Sequence, residues 1–129
     1  MDSLRSTGDY KQKLGQQGEE IAVAHLRRQG YVILERNWRC PLGELDIVAR
    51  EGDTLAFVEV RLRRGDRFGT AEESITPAKQ TRLMDLAQTY LQETDQLDQA
   101  WRIDVMAIEV DRRGRVARLN LIRNAVWAE

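Results

Sequence analysis

Two strand-like stretches flank a tight turn, and both carry acids among aliphatic residues. Glu44–Arg50 alternates, with Leu45, Ile47 and Ala49 on one side and Glu44, Asp46 and Val48 on the other. Leu55–Leu62 alternates too, setting Leu55, Phe57, Glu59 and Arg61 against Ala56, Val58, Val60 and Leu62. Between them Glu51-Gly52-Asp53-Thr54 is a hairpin signal with Gly-Asp at its centre. A two-residue turn pairs Glu51 with Thr54. That register sets Asp46 opposite Glu59, Glu44 opposite Arg61 and Val48 opposite Phe57. Opposed residues of an antiparallel pair share a face, with Cβ atoms about 5 Å apart. A slip of one residue would move Asp46 to the other face, so the meeting of the acids depends on this register.

An ionised carboxylate among Phe, Val and Ile is costly unless it is paired or bound to metal. Two opposed carboxylates also repel. A divalent cation removes both difficulties. Hard oxygen ligands that leave positions for water and substrate describe a Mg²⁺ site, to which the Val60 carbonyl adds an oxygen. Arg61 follows Glu59 by two residues, hence on the same face. A fixed positive charge there suits a phosphate or its transition state. It does not suit a general base, because arginine stays protonated. The plainer reading is a surface pair on a solvated sheet face, with Arg61 as its ion-pair partner. Glu44 either joins the acids or bridges to Arg61.

The flanking segments predict a compact α/β domain. A helix is expected from about Leu14 to Gln29, with Leu14, Gly18, Ile21, Ala22, His25 and Leu26 on one side and Gly30 as its C-cap. Residues 1–13 read as a flexible tail and 14–129 as a single domain. Tyr31–Arg36 reads as a first strand and Asn37–Gly43 as a turn. Thr76 caps a second helix, with Pro77 at its first position and Leu83, Leu86, Ala87, Tyr90 and Leu91 as its apolar stripe, ending near Glu93. Trp101–Val110 and Val116–Ile122 are expected strands joined by a turn at Asp111–Gly114. The order is αβββαββ, a central mixed sheet flanked by helices.

Composition limits the function. The chain has 129 residues with 42% apolar and 32% charged side chains, enough for one core without staples. A single cysteine, Cys40, excludes a disulfide framework and a cysteine-built zinc site, and fits a reducing cytoplasm. No stretch approaches the roughly 20 apolar residues of a membrane span. His25, the one histidine, lies on the apolar side of the first helix and reads as a packed residue. A formal charge of −1 argues against a strongly basic nucleic-acid binder. Yet 17 of the 20 basic residues are arginine, whose planar fork suits phosphates. Arg61, Arg63, Arg64 and Arg67 fall within seven residues, against Asp66 alone. With Arg36, Arg39, Lys79 and Arg82 they either flank the acids and grip a phosphate backbone or form a solvated face.

Several spacings then resemble one family. They are Gly18-Glu19-x-x-Ala22, Gly30-Tyr31-x-Ile33, Arg36-Asn37-x-Arg39, Gly43-Glu44-Leu45-Asp46, Phe57-Val58-Glu59-Val60-Arg61, Lys79, Arg102-Ile103-Asp104-Val105 and Asn124-Ala125. Over about residues 14–125 this pattern resembles the YraN family, which is similar in motif to the restriction-endonuclease-like PD-(D/E)xK nucleases, including archaeal Holliday-junction resolvases. The resemblance implies a three-layer domain and a Mg²⁺ or Mn²⁺ site of one or two ions held by Glu19, Asp46 and Glu59, with Arg61 facing the phosphate. It implies hydrolysis of DNA, branched or structured DNA included. A resolvase-like role would call for a homodimer. The wider superfamily has lysine where this chain has Arg61. That departure leaves open a nucleic-acid-binding module without catalysis. A protein–protein adaptor whose acids only hold salt bridges is the third alternative.

Overall fold

A computed structural model describes residues 6–65 and 69–126, with side chains from Gly15 onward. In chain order the elements are α1 (Ser6–Arg28), β1 (Val32–Cys40), β2 (Gly43–Glu51), β3 (Thr54–Arg64), a 3-10 turn at Glu72–Ser74, α2 (Pro77–Glu93), β4 (Trp101–Val110) and β5 (Val116–Val126). The strands form one sheet in the order β1-β2-β3-β4-β5. Only β3 and β4 run parallel, as the long α2 crossover between them requires. The other three pairs are antiparallel. The expected αβββαββ order and mixed sheet are both present.

The sheet is covered on both faces. On one face Ala22, Val23 and Leu26 of α1 pack on Ile47, Ala49, Ala56, Val58, Met106 and Ile108. On the other, Leu83, Leu86, Ala87 and Leu91 of α2 pack on Val48, Leu55, Phe57 and Ile103. This is the three-layer α/β arrangement. Both stripes have the 3.6-residue period that the sequence carries. Gly18 brings α1 down onto β3. A Cβ there would stand 3.1 Å from Leu62 Cδ1 and 3.3 Å from Leu62 Cβ.

Several expectations need correction. α1 starts at Ser6, not Leu14, so much of the stretch read as tail is helical. Extending a packed helix through residues without proline costs little once its nucleus is formed. β1 runs to Cys40 instead of ending at Arg36, and β5 to Val126 instead of Ile122. In both strands pairing overrides a polar sequence, with Trp38 against Leu45 in one and Ile103 against Val126 in the other. Leu45 does not share a face with Ile47 and Ala49. It packs on the α2 side, and they pack on the α1 side. Strand alternation breaks at Asp46 for an identifiable reason. The β2–β3 ladder runs from Glu51↔Thr54 only to Ile47↔Val58, and the facing residue of β1, Asn37, has a left-handed backbone with φ 56°.

Candidate functional site

Asp46 therefore sits just past the end of the β2–β3 ladder, where the facing strand has the left-handed Asn37. Val60, beyond the end of the ladder, gives its N–H to Asp46 Oδ2 at 2.8 Å. A carboxylate replaces a strand carbonyl at the mouth of the sheet. Glu59 continues the row of Phe57 on the adjacent strand, with a side chain only 15% exposed. The two acids are not ladder partners as the sequence suggested, but their side chains are hydrogen-bonded to each other. Two carboxyl groups can share such a bond only when one holds a proton.

Glu59 holds it. Burial and then the Asp46 charge push its carboxyl up to about 8, with Arg61 and Lys79 pulling the other way. Burial also raises Asp46, opposed by the Val60 N–H and the bond to Glu59. The charges of Glu44 and Glu19 add to the upward push on Asp46, so Glu19 lies within electrostatic reach of the pair. Acids kept this close in a partly dry site, with raised pKa values, make the pair a candidate functional centre.

Glu19 itself is turned aside. Its Oε2 accepts from Arg36 Nη2 at 3.0 Å and from Asn37 Nδ2 at 3.1 Å. Arg36 also holds Glu20 at 2.6 Å. Among the described residues no three acids, histidines or cysteines close around one point. Asp46 and Glu59 are thus brought together, and Glu19 is nearby but engaged by Arg36. A cleft of about 870 Å³ opens beside them between α1 and the ends of β1, β2 and β3, and Glu19, Asn37, Glu44, Asp46, Arg61 and Arg63 lie on its wall.

The basic residues divide. Arg61 donates from Nε to Ser74 Oγ at 2.9 Å and from Nη1 to Glu59 at 3.5 Å. It does not bridge to Glu44, whose partner is Arg39 at 2.9 Å. Arg39 is 78% exposed beside the cleft. Arg64 bonds the Arg112 carbonyl. Arg82 is exposed on α2 near Gly43. Arg67 lies outside the described residues. Lys79 sits in the first turn of α2, with Nζ donating to the Ser74 carbonyl at 3.1 Å. The sequence reads it as a surface lysine or a phosphate contact flanking the acids, and its charge does act on Glu59. Ser74 went unnoticed, since a serine in a loop carries no signal by itself. His25 is half-buried rather than fully packed, and burial followed by Arg28 and Arg123 lowers its pKa. No helix among the described residues is long and apolar enough to cross a membrane.

The same constellation falls inside a region shared with other proteins. Residues 18–108 match the family model described as "Uncharacterised protein family UPF0102". The chain belongs to the UPF0102 family. It is 49% identical to a UPF0102 protein of Pelotomaculum thermopropionicum over 117 residues, 91% of this chain and 98% of that one. It is 50% identical to a UPF0102 protein of Roseiflexus castenholzii over 115 residues, 88% and 93% of the two chains. A UPF0102 protein of Caldicellulosiruptor saccharolyticus is 44% identical over 115 residues, 89% and 98%. The UPF0102 relationship therefore spans nearly the whole fold, and the matched region contains Asp46, Glu59, Arg61 and Lys79.

Proposed function

We propose that this UPF0102 chain is a Mg²⁺- or Mn²⁺-dependent phosphodiesterase acting on DNA, branched or structured DNA included. One observation carries the reading: two largely buried carboxyl groups, Asp46 and Glu59, act on each other beside a cleft that Asp46 lines, and burial with their mutual charge favours a proton on Glu59. A hard divalent cation replaces that proton with a more favourable charge. Asp46 and Glu59 would hold it. Glu19 would join them by leaving Arg36, which keeps Glu20 as a partner. When bound, the ion supplies Lewis-acid stabilisation of phosphate charge and acidifies a water.

The chain's own side chains do the rest. Val60 N–H fixes Asp46, so the first ligand needs no reorganisation. Arg61 stays protonated and tethered, holding Glu59 in place and adding positive charge beside the phosphate. Arg39 and Arg63 at the cleft, with Arg82 on α2, would grip the flanking phosphates.

Arg61 also favours a second reading. Its tethers to Ser74 and Glu59 leave it an anchor more than a reactant, as in a DNA-binding module without catalysis. Incubation with Mn²⁺ and labelled duplex, flap and four-way junction DNA separates the two. The first reading predicts cleavage lost in Asp46→Ala. Salt-sensitive binding without cleavage supports the second. No binding and no cleavage would overturn both.

A further inference from the structure

A second segment, between Gly69 and α2, is tied to the acid pair through Arg61, which bonds both Ser74 and Glu59. It is fixed from several directions. Thr70 N–H donates to Glu73 Oε1 at 2.7 Å, and Glu73 N–H returns a bond to Thr70 Oγ1 at 3.1 Å. Glu72 accepts from Arg118 Nη1 at 2.9 Å and Asn120 Nδ2 at 2.8 Å on β5. The Arg118 bond leads the causes that hold its carboxyl down to about 2. Ser74 is 6% exposed, and its hydroxyl donates to the Ala71 carbonyl at 2.5 Å. So rigid a loop is unusual for a plain connection.

Two cations converge on that serine. Its hydroxyl oxygen accepts from Arg61 Nε, and its carbonyl accepts from Lys79 Nζ. They are not equivalent. Arg61 spends its fork on Ser74 and Glu59. Lys79 is the only lysine among the described side chains. Its ammonium has three rotatable donors on a flexible stem. One goes to Ser74, which leaves two to turn toward a ligand. The Lys79 charge also pulls Glu59 down, more weakly than Arg61 does.

We propose that Lys79, carried on α2 and held by Ser74, is the catalytic cation of the acid centre and donates to the oxygens of the scissile phosphate. The proposal rests on the phosphodiesterase reading. In that step a water oxygen bonds to phosphorus and one phosphorus–oxygen ester bond breaks. The attacking water releases a proton to solvent, and the departing oxygen takes one from solvent. Lys79 donates hydrogen bonds to the non-bridging oxygens and stabilises the charge on them. Arg61 is a positioning residue, and Ser74 sets both cations.

The test uses the full chain with Mn²⁺ and the DNA substrate that wild type cleaves. Lys79→Ala should lower kcat about a hundredfold, the effect of removing one preorganised donor. KM and the calorimetric Mn²⁺ affinity should change by less than about threefold. Lys79→Arg should recover part of the loss. Wild-type turnover by Lys79→Ala overturns the proposal. A second readout does not depend on cleavage: the Lys79 ammonium NMR signal is followed as inorganic phosphate is added to the Mg²⁺-loaded protein. A phosphate-dependent shift supports the assignment, and an unmoved signal overturns it. If wild type cleaves no DNA, the phosphodiesterase reading falls, and the phosphate titration alone decides whether Lys79 is an anion-binding group.

Discussion

The sheet buries acid at two places and treats it in opposite ways. Asp104 on β4 is fully buried and surrounded by donors. It accepts from Tyr31 Oη at 2.8 Å, from Arg102 Nε at 2.9 Å and from Asn124 N–H at 2.8 Å. Arg102 is shared with Glu51, and Glu51 with Arg123. Asn124 takes a left-handed backbone, φ 53°, where the β4–β5 register shifts to deliver that N–H. Asp46 lies just past the end of the β2–β3 ladder, and the neighbours of the Asp46–Glu59 pair are one backbone N–H, each other and a guanidinium at 3.5 Å. The first acid is completed by protein. The second pair is completed only by a proton, or by something from outside. Burial alone does not distinguish an acid that the protein completes from one that it leaves incomplete. The supply of donors does.

The largest expected difference lies in stability. Asp104→Ala strands Arg102, the Tyr31 hydroxyl and the Asn124 N–H in the interior, and should cost about 3–5 kcal/mol in urea unfolding. Glu59→Gln should do the reverse at neutral pH, leaving stability equal or higher, because the amide is neutral without the cost of taking up a proton. Equal losses in the two variants would erase the contrast.

The next difference is in pH. Glu59 has a folded value near 8, above its ordinary 4.5. The folded state therefore binds this proton more tightly than the unfolded state does. That stabilisation is complete below about pH 4.5 and is lost as pH rises through about 8. Metal-free wild type should weaken across that window, by at most about 1.4 kcal/mol per pH unit. Urea midpoints at pH 5, 7 and 9 should show the decline. Glu59→Gln should flatten it, and an identical slope in that variant would contradict the assignment. The smallest expected effect is that of Tyr31→Phe. Burial and then the bond to Asp104 push the Tyr31 hydroxyl up to about 12, so it remains a donor at every ordinary pH. Its removal should cost about 1 kcal/mol, with no effect on cation binding.

The hairpin was legible because three signals agreed: alternation on both strands, a Gly-Asp turn, and a register that follows from the two. Glu51↔Thr54 and Val48↔Phe57 pair as expected. The two helical stripes were equally plain. The break at Asp46 was not legible, because it depends on Asn37 of another strand and on the loss of ladder partners. Nor could the sequence separate Asp104 from Asp46. Each is an acid among strand formers, and the donors that complete Asp104 come from positions 31 and 124. Arg36 illustrates the same limit. It looked like a phosphate contact and proves to clamp Glu19 and Glu20, a pairing made only when α1 lies over β1. Ser74 becomes visible only once Arg61 and Lys79 are seen to meet there.

Isothermal calorimetry with Mg²⁺ and Mn²⁺ at pH 7 tests the central claim most directly, comparing wild type with Asp46→Ala and Glu59→Gln. Cation binding accompanied by proton release in wild type, and abolished in both variants, is the result this account predicts. No binding by wild type, or the same binding by all three proteins, would contradict it.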